Sequence, residues 1–273
     1  CHTDVFEPNQ NCRSYSFKGL CKSDPYLQYL SQRPNVDPLI ATAASGMRSR
    51  LETLDLLANN IANAGTSGYK ADQESYNLYF GDSSWEGYNE GRPPGAEMPV
   101  IQRNWTDFSQ GSLIATGSPT DVALASSSFF TVLTPNGPLY TRNGHFNVGK
   151  NNRLQTADGY DVRGSNGKPI VLDPQLPFQI LPSGDIEQNQ TVIGKLDIVS
   201  AASLDKIAKQ GAGYFRFSPD TKIQAATDPQ VLQGKVEASN VTLALSSVKL
   251  VSVMRQFEML QRAVMMSADM NQR

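Results

Sequence analysis

The sequence predicts a mainly β protein with terminal α-helices. The N- and C-terminal helices form a discontinuous, coiled-coil-like helical domain, and a central antiparallel β domain lies between them. Three observations carry this. Apolar residues recur at steps of three and four near both ends of the chain. Short β-branched and aromatic runs alternate with Asn-Gly and Asp-Gly pairs in the middle. The stretch Leu57–Lys70, LANNIANAGTSGYK, closes the first helix with asparagines and glycines.

Composition narrows the function classes. The chain has 273 residues, enough for one or two domains with a core, and its formal net charge of -2 comes with no long Lys/Arg run. A nucleic-acid partner is not expected on that footing. No apolar run reaches the length of a membrane span, and residues 1–35 lack the basic-then-apolar pattern of a cleaved signal. Cys1, Cys12 and Cys21 all fall in the first 21 residues. Their spacing with His2 fits neither a zinc site nor a disulfide scaffold.

Residues 1–35 show no sustained period. They are expected to be a disordered leader preceding a natural translation start at Val36, with an N-terminal arm as the alternative. The segment 36–70 holds the N-terminal helix. Asp37 caps the free N–H groups and Pro38 fits the first helical position. Ile40, Ala43, Met47, Leu51, Leu54, Ala58 and Ile61 make one stripe, so a helix over 38–62 would run about 37 Å. Gly46 marks a close approach of another helix. The glycines after Ile61 suit a helix end. Asn59, Asn60 and Asn63 exceed what an end requires, since Asn is a mediocre helix former, and they point to a packed contact of fixed register.

The central domain spans 71–235. Its first part, 71–100, reads as loop or short strand. Its aromatics, Tyr76 to Tyr88, could stack on a ligand, although basic residues are not interleaved with them. Strands are predicted at Phe129–Leu133, Leu139–Arg142, His145–Val148, Arg153–Thr156, Tyr160–Val162, Ile170–Leu172, Phe178–Leu181 and Lys195–Val199. Asn136-Gly137, Asn143-Gly144, Asp158-Gly159 and Asn166-Gly167 supply the positive φ angles of tight hairpins. Leu204–Lys209 reads as a helical turn before Tyr214–Phe217. This spacing fits a sandwich or barrel.

The segment 236–273 returns to helix, with Ser239-Asn240 as its cap region. Leu243, Leu250, Met254, Phe257, Val264 and Ala268 form one stripe, and Val248, Val251, Leu260 and Met265 widen it. A helix apolar on several sides must be covered on several sides. One partner helix is too little, so the expectation is that the terminal helices pair and the pair packs against other copies. A helix sunk into the β domain is the alternative.

Chemistry is sparse. His145 lies in hairpin text, Ser126–Ser128 lacks a nucleophile elbow, and Gly111–Gly117 lacks the phosphate-loop lysine. No catalytic, cofactor-binding or metal residue is assigned, no cofactor is expected, and the chain is read as a non-enzyme.

Several motifs together resemble the bacterial flagellar rod and hook family. Ala58-Asn-Asn-Ile-Ala-Asn63, with Thr66, Gly68, Tyr69 and Lys70, is similar to its N-terminal signature. Gly111–Leu124, Phe129–Val132, Tyr140–Gly144, Thr156–Tyr160 and Gln233–Val241 continue the likeness. Arg255-Gln-Phe-Glu-Met259 resembles the final helix of the rod members, proximal rod first and distal rod second. Ala125–Ser128 departs from the family's Gly-Asp-Gly turn. The resemblance implies a structural rod subunit with no membrane span. It would be exported by the flagellar type III apparatus without a cleaved signal, and would partner itself and other rod subunits in the periplasm-spanning basal body. The assembly-interface candidates are Leu54, Asn59, Asn60, Ile61 and Asn63 on the first helix and Leu250, Met254, Phe257 and Val264 on the last. A β-domain binding module on a helical stalk is the competing class.

Overall fold

The computed structural model describes residues 38–80, 97–201, 203–204, 207–211 and 213–271. The expected leader over 1–35 and the aromatics Trp85 and Tyr88 lie outside them.

Helix α1 spans Pro38–Ala62, the predicted range. Strands β1 (Asp72–Phe80) and β2 (Glu97–Thr106) follow as one antiparallel ribbon with a bulge at Ser75/Tyr76. Of the two readings of 71–100, loop or short strand, the described residues take the strand, and the strands are longer than expected, at nine and ten residues. Tyr, Phe, Val and Ile in these two runs favour extended backbone, and nine successive residue pairs satisfy it. The small strands β3 (Leu113–Ala115) and β4 (Val122–Leu124) lead into the body of the domain.

Strand β5 (Phe129–Thr134) organises that body. It pairs with β6 (Gly137–Thr141), with β9 (Asp161–Val162) and with β13 (Ile198–Ala201), all antiparallel. Strands β7 (Phe146–Val148) and β8 (Leu154–Thr156) extend the sheet beyond β9. Strands β14 (Ile207–Lys209) and β15 (Tyr214–Phe217) extend it beyond β6, and β16 (Ile223–Ala225) pairs with β13. Strands β10 (Phe178–Ile180), β11 (Asp185–Gln188) and β12 (Thr191–Lys195) form a separate antiparallel sheet. The chain then returns to its start: β17 (Val231–Gln233) pairs with β4, and β18 (Lys235–Glu237) with β3.

Successive strand side chains point to opposite faces, and β5 is buried on both. Phe130 packs edge-to-face with Phe146 at 5.2 Å between ring centres, in a core with Leu124, Leu154, Ile186 and Val231. Phe129 packs against Phe215 and Phe217, each at 5.6 Å, in a second core with Tyr140 and Val199.

Three local expectations need correction. Ile207–Lys209 is strand rather than helical turn, because β15 satisfies its backbone. Ile170–Leu172 is not a ladder strand. Its backbone makes single bonds to Val162, Leu154 and Asn152, with one isolated bridge between Val171 and Arg153, while Ile170 and Leu172 fill the core. Gly144 does not supply a positive φ, unlike Gly137, Gly159 and Gly167. It is needed for space, since a Cβ there would lie 1.6 Å from the Val122 carbonyl oxygen.

Helix α2 spans Leu243–Asn271 and packs along α1. The contact keeps only Ala43 of the predicted stripe of α1 on its buried face. The buried face is Ala43, Gly46, Ser49, Thr53, Leu57 and Asn60, at steps of three and four. Leu51 and Ala58 are exposed, and Met47, Leu54 and Ile61 are half-buried. Small residues let the helices approach closely, and a Cβ on Gly46 would sit 3.4 Å from Leu260 Cδ1. On α2, Val253 and Ser267 are buried, with Leu260 and Ala263 half-buried between them.

Substituting Gly144→Ala should destabilise the protein by about 2 kcal/mol or more, since the backbone carbonyl it meets cannot move cheaply. Gly194→Ala, with nothing within 4 Å of its Cβ position, should change stability by less than about 0.5 kcal/mol. Urea denaturation of the two variants checks the contrast.

Candidate functional site

The chain from Asn59 to Asp72 and the chain from Glu237 to Asn240 meet where the helix pair joins the β domain. Helix α1 ends as its composition requires. The Asn63 side chain turns back on the Asn59 carbonyl at 2.9 Å, and Gly68 takes a φ of 69°. That glycine also lies against the Arg142–Asn143 backbone, where a Cβ would be 2.3 Å from Asn143 N. Its N–H donates to the Glu237 carbonyl at 2.7 Å.

Two asparagines, one from each terminal segment, then grip successive residues. Asn60 pairs with the Asp72 backbone twice: its Oδ1 accepts from Asp72 N at 2.9 Å, and its Nδ2 donates to Asp72 O at 2.8 Å. Asn240 Oδ1 accepts from Ala71 N at 2.8 Å, while its Nδ2 donates to Asp107 O at 2.8 Å. The Tyr69 hydroxyl lies 2.8 Å from Asn59 Oδ1 and 3.0 Å from Asn60 Oδ1. Burial, with the Asp72 charge adding, pushes its pKa up to about 12.

Beneath this layer lies a buried charge cluster. Glu237 Oε1 accepts from Lys70 Nζ at 2.6 Å and from Gly111 N at 2.9 Å. Its Oε2 accepts from Arg142 Nε at 2.9 Å. The side chains of Lys70 and Glu237 are 0% exposed and that of Arg142 is 3%. Backbone carbonyls take further donors: Ser109 O from Lys70 at 2.6 Å, and Ser126 O and Ser128 O from Arg142 Nη1. Burial draws the Lys70 amine below its ordinary pKa, while its bond to Glu237 opposes the shift. Lys209 completes the junction, donating to Lys70 O at 2.7 Å and Asp72 Oδ2 at 2.8 Å, with its ammonium 4.0 Å above the Tyr69 ring. Burial lowers the Lys209 pKa in the same way, opposed by Asp72.

The sequence candidates divide in this geometry. Asn60 is buried and bonded within the chain, and Asn240 is spent on Ala71 and Asp107 rather than capping α2, whose first turn begins after Thr242. Asn59 is exposed. Leu54, Ile61 and Asn63 are half-buried, as are Leu250, Phe257 and Val264; Met254 is 48% exposed. His145 stands at the surface, 2.7 Å from the buried Asp121 carboxylate. Ser126 Oγ donates to Pro229 O at 2.8 Å. Among the described residues no helix is long and apolar enough to cross a membrane.

The charge cluster escaped the sequence reading. A signal was present. Lys70, Arg142 and Glu237 each follow buried neighbours: Gly68-Tyr69, Leu139-Tyr140-Thr141 and Val236.

Asn60→Ala should cost about 2 kcal/mol, because it strands the paired groups of Asp72 away from water. Asn59→Ala removes an acceptor that the Tyr69 hydroxyl shares with Asn60 and a longer contact from Asn63 at 3.3 Å, and should cost under about 1 kcal/mol. Thermal unfolding of both variants separates these roles.

Three family models match the chain in order: the flagella basal body rod protein family over residues 40–70, the flagellar hook protein FlgE/F/G D1 domain over 123–195, and the flagellar basal body rod FlgEFG protein C-terminal region over 232–273. The flagellar basal-body rod protein FlgF of Caulobacter vibrioides is 30% identical over 226 residues, covering 80% of this chain and 88% of that protein. FlgF of Mesorhizobium japonicum is 28% identical, covering 79% and 87%. The flagellar basal-body rod protein FlgG of Borreliella burgdorferi is 27% identical, covering 84% and 94%. FlgF ahead of FlgG is the order that the final-helix motif suggests. Sharing sequence from α1 through the β domain to α2, the chain belongs to the flagellar basal-body rod protein family.

Proposed function

We propose that the protein is a structural subunit of the flagellar basal-body rod, assembling with itself and other rod subunits through its terminal helices and passing torque along the rod. The observation that carries this is the surface of α2. Leu245 and Val248 are each 69% exposed, and Val251, Met259, Met265 and Met266 are exposed with them. Helix α1 covers only the Val253–Ser267 side. Its own apolar residue Leu51 also faces outward. Uncovered apolar faces on two paired helices suit burial by neighbouring copies in a coiled-coil-like packing.

On this reading, residues 36–70 and 236–273 make the assembly domain, and 71–235 the β domain that decorates it. Leu54, Ile61, Leu250, Met254, Phe257 and Val264, with Asn59 and Asn63, border the faces offered to neighbours. Asn60 serves the junction instead. The rod crosses the periplasm, and the chain reaches it through the flagellar type III apparatus without a cleaved signal. Terminal helices that gain most of their stability from packing suit export in an unfolded state. The role is mechanical and no reaction is assigned. FlgG relatives of similar coverage support a distal rather than proximal place in the rod as the second reading.

Met254→Asp combined with Met265→Asp should leave the monomer folded, because both side chains face outward. Burying each wild-type side chain is worth about 1.5–3 kcal/mol, so self-association should weaken by at least roughly 100-fold. Light scattering over a concentration series reads the loss. Unchanged association of a folded double variant overturns the assignment.

A further inference from the structure

We infer that Glu237 is an electrostatic clasp that makes the completion of the β domain conditional on arrival of the C-terminal segment. The inference does not depend on the rod assignment. Lys70 and Arg142 lie 72 residues apart, and among the described residues each has Glu237 as its ion-pair partner. Until Glu237 docks, closing the domain would bury two cations against carbonyl oxygens alone: Ser109 O for Lys70, Ser126 O and Ser128 O for Arg142. Burying an unpaired charge is strongly unfavourable.

Backbone pairing runs the same way. Among the described residues, strands β3 and β4 pair in ladders only with β18 and β17. Gly111 N–H is satisfied by Glu237 Oε1, and Gly68 N–H by Glu237 O. The close approach of Gly111 to the Ala238 carbonyl, where a Cβ would lie at 1.9 Å, leaves no room for a displaced register. A chain emerging from its N-terminus therefore carries Lys70 and Arg142 long before their counter-ion. Residues 231–240 act as the last piece of the β domain rather than as a trim on a finished one.

The charge arithmetic sets the test. The native cluster holds two cations and one anion. Glu237→Gln leaves two cations unpaired, Lys70→Met leaves a neutral Arg142–Glu237 pair, and the double variant leaves one cation. Hydrogen exchange on the full-length chain reads protection at 122–148, remote in sequence from the substitution, and at 231–240. In Glu237→Gln, both regions should lose protection together, by at least 100-fold, or the chain should fail to fold. Lys70→Met should keep both protected. Adding Lys70→Met to Glu237→Gln should recover at least 10-fold of the lost protection, an outcome that a merely steric role for Glu237 would not produce. Loss confined to 231–240, with 122–148 at wild-type protection, overturns the inference. So does a double variant no better than Glu237→Gln alone.

Discussion

Two cations drawn out of water need a counter-charge, and the chain supplies it from 95 residues beyond the nearer one: Arg142 and Lys70 meet at Glu237. A buried ion pair is a poor source of net stability, because desolvation offsets most of the attraction. What it imposes is specificity. An apolar contact between these segments could slide by a turn or a register at little cost. The carboxylate cannot, since both oxygens are engaged from set directions by Lys70, Arg142 and the Gly111 amide. The junction between helices and sheets is therefore held in one arrangement. The Asn60 fork on Asp72 and the Asn240 bridge between Ala71 and Asp107 repeat the same logic in uncharged form.

The helix pair follows the opposite principle. Its shared face is built from Ala43, Gly46, Ser49 and Thr53 against Val253, Leu260 and Ser267, which bury little apolar area for their length. Leu51 of α1 and Leu245, Val248, Met259 and Met265 of α2 point elsewhere. Such a pair is weakly stabilised as an isolated object and gains most when something covers Leu245, Val248, Met259 and Met265. Stability that depends on neighbours is a fitting property for the terminal helices of an assembling protein.

Much of this was legible in the sequence, for reasons that also mark the limits. Periodicity and Pro38 at the first helical position located α1, because a helix start is local chemistry; the Asp37 cap lies outside the described residues. Asn136-Gly137, Asp158-Gly159 and Asn166-Gly167 were readable because the turn demands a backbone few residues adopt, and Gly137, Gly159 and Gly167 adopt it. Gly144 misled because the same dipeptide can answer a tertiary demand, the nearness of the Val122 carbonyl. The buried face of α1 was read in part: Gly46 marked the close approach, but Ser49 and Thr53 were passed over because hydrophobicity ranks Leu51 above them, whereas close packing ranks them the other way. The charge cluster was unreadable as a site, since nothing local at Lys70 or Arg142 names a partner at Glu237. The family likeness had nonetheless quoted all three residues, in three separate motifs.

The division between a polar junction and an apolar assembly face bears on what a rod subunit must do. Hydrophobic burial is non-directional and tolerates small rotations, so many copies can pack around a common axis with slightly different contacts. Hydrogen bonds and buried ion pairs fix angles and distances. If torque enters through the helices, on the role proposed above, it reaches the β domain through Asn60, Lys70, Glu237 and Asn240, the groups with the least freedom to yield. Placing geometric rigidity inside the subunit, and tolerance between subunits, lets each copy turn as one body while the stack accommodates its neighbours. A purely apolar junction would invert that arrangement and let the β domain lag behind its helices under load.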